Sequence, residues 1–309
     1  MSSDRDGGRG FPGVDFRHVR SVMETPILDE RKWAKLPGIA ADAFIIDLED
    51  SVVPDRKETA RQRAIRYLGD TDFFGDRLVL ARPNNLDTPW GADDIAALAK
   101  ANVRLMLYPK ARSVDEVVAV RDLLDGHGVA PLLFPIIETA GGVLDARAIA
   151  QLPGIGGLFT GVGDLSVDVG IPFYEADGQI NPVLNRVRDT VVLAAASAGV
   201  SSTDTVFARN IRDPHDVKAA VHDSRRRGFT SLVTFYPPHV EQINALLPPT
   251  EAEVGEAREL VARYREAQSA GNPALVLDNG RAVLLLDCAR AERLLQRADA
   301  MVPTREDAL

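Results

Sequence analysis

The stretch Ala43-Phe44-Ile45-Ile46-Asp47-Leu48-Glu49 decides the fold. An unbroken apolar run that ends in acids describes a strand buried on both faces, because a half-exposed strand would alternate polar with apolar residues. Strands covered on both faces belong to parallel sheets, whose crossovers carry helices. Outward from this stretch the pattern repeats. Strands are expected over 20–24, 43–49, 77–84, 104–110, 130–138, 155–164, 203–209 and 231–236, with helical segments such as 56–68, 93–101, 114–124 and 183–198 between them. Gly, Pro or Asp punctuates each helix. Eight such units over about 230 residues match a closed α/β barrel, the (β/α)8 TIM barrel, and their even spacing disfavours an open doubly wound sheet. After Pro248-Pro249 the pattern changes to a long helix over 251–270, a strand-turn-strand over 274–286 and a last helix over 289–298. The expected domains are a disordered tail (1–16), a TIM-barrel catalytic domain (17–247) and a C-terminal helical and β-hairpin extension (248–309). The segment 274–286 is too apolar to stand in water, so it should be buried on its own barrel or on a neighbouring subunit.

Composition narrows the function. The 309 residues, 45% hydrophobic and 26% charged, are those of a globular chain, and 24 Gly with 19 Pro are too few for a collagenous or low-complexity one. A formal net charge of -9 repels a phosphate backbone, and the one basic run, Arg225 to Arg227, reads as a solvated helix end, so no nucleic-acid partner is expected. One cysteine, Cys288, excludes an internal disulfide and a cysteine-rich zinc site. Residues 1–16 hold no apolar stretch of the kind a signal peptide needs, and no run approaches the roughly 20 apolar residues of a membrane span. A cytoplasmic protein without a membrane partner is the expectation.

In such barrels chemistry sits where strands end. Strand two ends in Asp47-Leu48-Glu49-Asp50, strand three in Arg82-Pro83-Asn84, strand four in Pro109-Lys110, strand five in Glu138-Thr139 and strand six in Gly161-Val162-Gly163-Asp164. Carboxylates facing one another repel unless a cation lies between them. Oxygen ligands without Cys or His favour Mg²⁺, with Mn²⁺ possible, and Glu138 and Asp164 are the expected metal ligands. The alternative is that each only caps the helix that follows. Arg82 suits a substrate carboxylate through its bidentate fork; a structural ion pair with Glu49 or Asp47 is its alternative. Lys110 is expected to neutralise carboxylates rather than form a Schiff base. His18, His127, His215 and His222 read as surface residues, and His239 as a satisfied loop histidine.

The loops in order, Ala41-Asp42-Ala43-Phe44-Ile45-Ile46-Asp47-Leu48-Glu49-Asp50-Ser51-Val52, Arg82-Pro83-Asn84 with Asp87-Thr88-Pro89-Trp90-Gly91, Tyr108-Pro109-Lys110, Ile136-Ile137-Glu138-Thr139 and Gly161-Val162-Gly163-Asp164-Leu165, resemble the citrate lyase beta-subunit-like family of the HpcH/HpaI aldolase group. The resemblance runs from about Arg20 to Leu295. It implies Mg²⁺-dependent cleavage or formation of a carbon-carbon bond beside a carbonyl, often on a thioester such as malyl-CoA, citramalyl-CoA or citryl carrier protein. It further implies that Glu138 and Asp164 hold the metal, Arg82 binds the oxo-acid part, Glu49 supports a water on the metal, and backbone amides around Gly163 help hold the carboxylate. The family's late lid aspartate, shared between subunits, corresponds to Asp287 or to the competing Asp278; Asp287 is then the acid-base candidate in a homotrimer or a hexamer of trimers. Two rim loops depart from the family. Met23-Glu24-Thr25-Pro26-Ile27 stands where Leu-Phe-Val-Pro-Gly is usual, and Tyr236-Pro237-Pro238-His239 where His-Pro-Ser-Gln is usual. The expected function is a Mg²⁺-dependent lyase. A thioesterase, a lyase of a free-acid or carrier-bound intermediate, and a non-catalytic metal- or acid-binding barrel are the alternatives.

Overall fold

Eight short strands, β1 (Ser21–Pro26), β2 (Ala43–Asp47), β3 (Leu78–Arg82), β4 (Leu105–Tyr108), β5 (Leu132–Ile137), β6 (Gly157–Thr160), β7 (Ser201–Thr205) and β8 (Ser231–Thr234), pair in parallel in chain order, and β8 returns to β1 to close the barrel. The computed structural model describes residues 16–272, 274–278 and 280–301; the expected tail lies outside these except for Phe16. The TIM barrel read from the sequence is therefore the fold. Its helices are α1 (Glu30–Trp33), α2 (Lys57–Leu68), α3 (Thr71–Phe74), α4 (Gly91–Lys100), α5 (Val114–Gly126), α6 (Ala140–Ala150), α7 (Val162–Asp168), α8 (Pro182–Ala198), α9 (Pro214–Arg227) and α10 (Pro238–Leu246).

The run that opened the sequence argument shows why both faces had to be apolar. Ile45 points into the barrel with Leu80, Leu107, Ile136 and Phe159, while its neighbours Phe44 and Ile46 pack outward beneath the helices. Successive side chains on a strand face opposite ways, so a strand between two cores needs an unbroken apolar run. Phe16 is a correction to the expected tail: it is buried, with its ring 4.6 Å from that of Phe134 in the inner core.

Seven of the eight strands are shorter than expected, β2 to β8, and three of them show why. The strand expected to 84 stops at Arg82, because Pro83 has no N–H to give to the ladder. The strand expected to 164 stops at Thr160, and Asp164 lies instead in the first turn of α7. The seventh strand, expected over 203–209, covers Ser201–Thr205, a polar sequence whose first four residues are all buried. Hydrogen bonding makes that burial possible. Asp204 accepts from Thr160 Oγ1 at 2.7 Å, Ser224 Oγ at 2.7 Å and Arg188 Nη2 at 2.5 Å, and Arg188 Nη1 reaches Asp223 at 2.8 Å. Arg188, on α8, is one of the largest fully buried side chains. The four histidines expected at the surface are exposed, and His239 is buried, bonded to Thr234 Oγ1 and to the Ile211 carbonyl.

The described residues from 245 onward form a second compact unit. It holds α11 (Glu251–Ser269), opened by a reciprocal cap between Thr250 and Glu253, the antiparallel pair β9 (Leu275–Val276) and β10 (Ala282–Val283), and α12 (Leu285–Met301). Its core is Ala257, Val261, Tyr264, Val283, Cys288 and Ala291. The last helix begins at Leu285 rather than 289, because the Asp287 carboxylate accepts from the Leu284 N–H and fixes the first turn. Val276, Leu284, Leu285 and Leu286 remain 45–64% exposed in the single chain, so the burial expected for 274–286 is not met within it. Among the described residues no helix is long and apolar enough to cross a membrane.

Removing one side of a buried ion pair leaves the other charge uncompensated. Asp204→Ala should therefore cost about 3–5 kcal/mol. Urea denaturation checks this, and a variant that unfolds at the parent's midpoint would show that Arg188 is satisfied without Asp204.

Candidate active site

At the carboxyl end of the barrel, Arg82 is the charge about which the other groups are arranged. Its Nε donates to Asp47 Oδ1 at 2.6 Å, its Nη2 donates to Glu24 Oε1 at 2.7 Å, and its Nη1 lies 3.6 Å from Glu49 Oε2. Asp47 is wholly buried and also accepts from the N–H groups of Glu49 and Ser51, which folds the loop after β2 back over its own strand end. Burial alone would raise the Asp47 carboxyl, but the charge and hydrogen bond of Arg82 bring it down to about 2. Lys57 supports the same loop from below, donating to the carbonyls of Leu48 and Glu49 and to Asn84 Oδ1.

Lys110 forms the second cationic centre. Its backbone adopts φ +50, a left-handed conformation that costs a non-glycine residue of order 1 kcal/mol. There its N–H donates to Glu138 Oε1 at 2.7 Å. Its Nζ is paired closely with Glu49 Oε1, lies 3.1 Å from Asp50 Oδ1 and is 3.7 Å from Asp164 Oδ1. Burial opposes the charge on Lys110, but its bond to Glu49 raises its pKa. Glu49 is itself pushed up by burial in spite of Arg82 and Lys110, and its Oε2 is buried without a hydrogen-bond partner.

Glu138 follows β5, Asp164 lies in the first turn of α7, and both line one cavity. The capping alternative fails for both. Thr139 caps α6 through its side chain, and α7 begins at Gly161 with no side-chain cap. Glu138 is 5% exposed, and burial first, then the charges of Asp164 and Glu49, raise its carboxyl to about 8. Gly161 allows this placement: a Cβ there would come within 2.0 Å of Glu138 Oε2. Gly163 has no such constraint and lines the cavity.

The cavity above these groups has a volume of about 230 Å³ and is lined by Glu24, Arg82, Glu138 and Asp164 against an apolar wall that includes Phe159, Phe207, Val233 and Phe235. Sequence reasoning missed Glu24. Its signal was an acid inside the otherwise strand-like Ser21-Val22-Met23-Glu24-Thr25-Pro26, and burial raises it to about 7 against the pull of Arg82. Asp287 and Asp278 belong to the C-terminal unit. Asp287 is paired with Arg281 at 3.3 Å and Arg290 at 3.5 Å, while Asp278 is 94% exposed and 3.6 Å from Arg263.

The clustered carboxylates, Arg82 and Lys110 lie at the carboxyl end of a parallel eight-stranded barrel, the end where such barrels carry their active sites. The chain belongs to the HpcH/HpaI aldolase/citrate lyase family, which matches residues 20–237. It is 33% identical over 285 residues to a (3S)-malyl-CoA thioesterase of Cereibacter sphaeroides, covering 91% of this chain and 95% of that one. It is 30% identical over 268 residues to the citrate lyase subunit beta of Leuconostoc mesenteroides subsp. cremoris, covering 84% and 86%. A solved structure of CitE from Mycobacterium tuberculosis, in complex with magnesium, acetoacetate and coenzyme A, aligns with a TM-score of 0.77 at 27% identity over 92% of this chain and 99% of that one.

The raised Glu138 carboxyl has a consequence for stability in metal-free protein. Between the ordinary value near 4.5 and the folded value near 8 the native state holds a proton that the unfolded chain releases, so stability falls as pH rises through that window. The slope should be about 1.4 kcal/mol per pH unit steeper in the parent than in Glu138→Gln. Denaturant midpoints measured in chelator across the window check it; parallel slopes would mean that Glu138 is ionised in the metal-free fold.

Proposed function

We propose that the protein is a Mg²⁺-dependent carbon-carbon lyase of aldol or Claisen type, acting through an enolate on a hydroxy acid or a β-hydroxyacyl thioester such as malyl-, citramalyl- or citryl-CoA. The observation that carries this reading is the convergence of Glu138, Asp164 and Arg82 on one cavity. The donors there fit a hard divalent cation. They are oxygens only, Glu138 is held near 8 by burial and by neighbouring carboxylates, and Glu49 Oε2 is buried without a partner. Two protein carboxylates suit Mg²⁺, which keeps positions for water and substrate, and Mn²⁺ would be accepted by the same oxygens. The magnesium in the Mycobacterium tuberculosis relative supports this assignment. When bound, the cation supplies Lewis-acid polarisation of a substrate oxygen.

The chain's own residues do the rest. Arg82 holds the carboxylate of the substrate's oxo-acid part, with Nη1 the arm not hydrogen-bonded to Asp47 or Glu24. The N–H groups opening α7, around Gly163, add donors because the first turn of a helix leaves them without intrahelical acceptors. Lys110 favours the ionised form of Glu49, the supporting carboxylate, and the apolar wall keeps water from the reacting carbon. In cleavage the substrate hydroxyl loses its proton, the carbon-carbon bond gives its electron pair to the acyl side as an enolate, and that enolate is then protonated. Asp287 is the acid-base candidate, in a cytoplasmic homo-oligomer, a trimer or a hexamer. A second reading is favoured by the 33% identity to a malyl-CoA thioesterase: the same site would hydrolyse the thioester and release the thiol.

Incubation with Mg²⁺ and malyl, citramalyl and citryl thioesters, alongside their free acids, separates these readings by mass spectrometry of the products. A lyase gives a 2-oxo acid and a shorter acyl thioester without free thiol; a thioesterase gives the hydroxy acid and free coenzyme A. No product from any of them would leave a binding barrel. In the same assay Asp287→Ala should lower kcat by about 10²-fold or more, beyond the small loss of stability that follows from removing the acceptor for the Leu284 N–H. An unchanged kcat would assign Asp287 to the first turn of α12 alone.

A further inference from the structure

Glu24 is a half-buried acid at the site for which the proposed chemistry has no use. It stands on β1, bonded through Oε1 to Arg82 Nη2 at 2.7 Å, and it lines the same cavity as Glu138 and Asp164. The charged side chains lining that cavity are three acids and a single base, Arg82, and Arg82 enters it with its Nε already given to Asp47. An incoming carboxylate therefore meets a guanidinium whose Nε and Nη2 are hydrogen-bonded to carboxylates and whose Nη1 lies 3.6 Å from Glu49 Oε2. The part of the wall made by Phe159, Phe207, Val233 and Phe235 is apolar and suits a hydrogen or a methyl group rather than a second anion; Thr160 and Thr205 are the uncharged polar side chains in the lining, and Thr160 Oγ1 is given to Asp204.

We propose that Glu24 is a specificity-determining residue: by occupying the Nη2 edge of Arg82 and placing a carboxyl on the β1 side of the cavity, it admits an oxo acid with one carboxylate, of the glyoxylate or pyruvate type, and turns away one with a second carboxylate, of the oxaloacetate type. The proposal rests on the lyase reading above and sharpens it, since it favours malyl- and citramalyl-type substrates over citryl-type ones. The physical basis is rejection by like charge: a second carboxylate beside Glu24 either repels it or forces it to take up a proton.

Calorimetry with saturating Mg²⁺ at one fixed pH, titrating pyruvate and oxaloacetate separately, tests this without relying on turnover. The parent should bind pyruvate about tenfold or more tightly than oxaloacetate, and Glu24→Gln should bring the ratio towards one, mainly by tightening oxaloacetate. Glu24→Asp, which keeps the charge, should retain the preference, and melting curves show whether both variants stay folded. Equal affinities in the parent would overturn the proposal whatever the variants do. Equal weakening of both acids in Glu24→Gln would overturn it as well, by showing that Glu24 only braces Arg82. If neither acid binds any of the three proteins, the lyase reading itself fails and the selectivity falls with it.

Discussion

The guanidinium of Arg82 among Asp47, Glu24 and Glu49 is the interaction on which the upper part of the barrel depends. A charge at the end of a buried strand is tolerable only when it is paired and hydrogen-bonded. Here the partners come from two neighbouring strand ends, so the pairing also fixes how β1, β2 and β3 end relative to one another. The consequence is an excess of acids around few cations. Lys110 adopts a left-handed backbone and reaches Glu49, Asp50 and Asp164, and Lys57 holds the loop from below through main-chain carbonyls. Even so, Glu24, Glu49 and Glu138 stay raised above ordinary carboxyl values. A site with unrelieved negative charge and open space is prepared for a cation.

The same arrangement explains why the lyase and thioesterase readings are hard to separate by geometry. Both need a carboxylate held on a guanidinium, a polarised carbonyl and a controlled proton. They differ in which bond breaks, the carbon-carbon bond between the α and β carbons in the lyase and the bond from the acyl carbon to sulfur in the thioesterase, and that depends on how the far end of the substrate is held. The family contains both kinds of relative at similar identity, 33% for the thioesterase and 30% for the citrate lyase subunit.

Much of this was legible in the sequence because burial on both faces leaves a continuous apolar run, and because barrel chemistry gathers where those runs stop. Ala43-Phe44-Ile45-Ile46 gave the parallel strand, and Glu49, Arg82, Lys110 and Glu138 followed from their positions at strand ends. Asp164 was found by its motif but placed on the wrong element, since Gly161 turns the chain into α7 before the acid is reached. Pairing across strands was legible only between strand ends already marked by their acids and bases, as for Arg82 with Asp47 and Glu49. Glu24 gains its meaning only from Arg82, 58 positions away, and Asp204 from Arg188 on the neighbouring helix. Polar strands such as Ser201–Thr205 carry no hydrophobic signal, because hydrogen bonds rather than apolar contacts make their burial tolerable.

The central claim is that Glu138 and Asp164 form a cation site. Calorimetric titration of Mg²⁺ into the chelator-treated parent and into Glu138→Gln tests it most directly, because the substitution keeps the side chain's size and its acceptor for the Lys110 N–H while removing the charge. The account predicts one Mg²⁺ per chain in the parent and an affinity lowered by about a hundredfold or more in the variant, in line with the loss of one of two charged ligands. Equal Mg²⁺ affinity in the two proteins would contradict it.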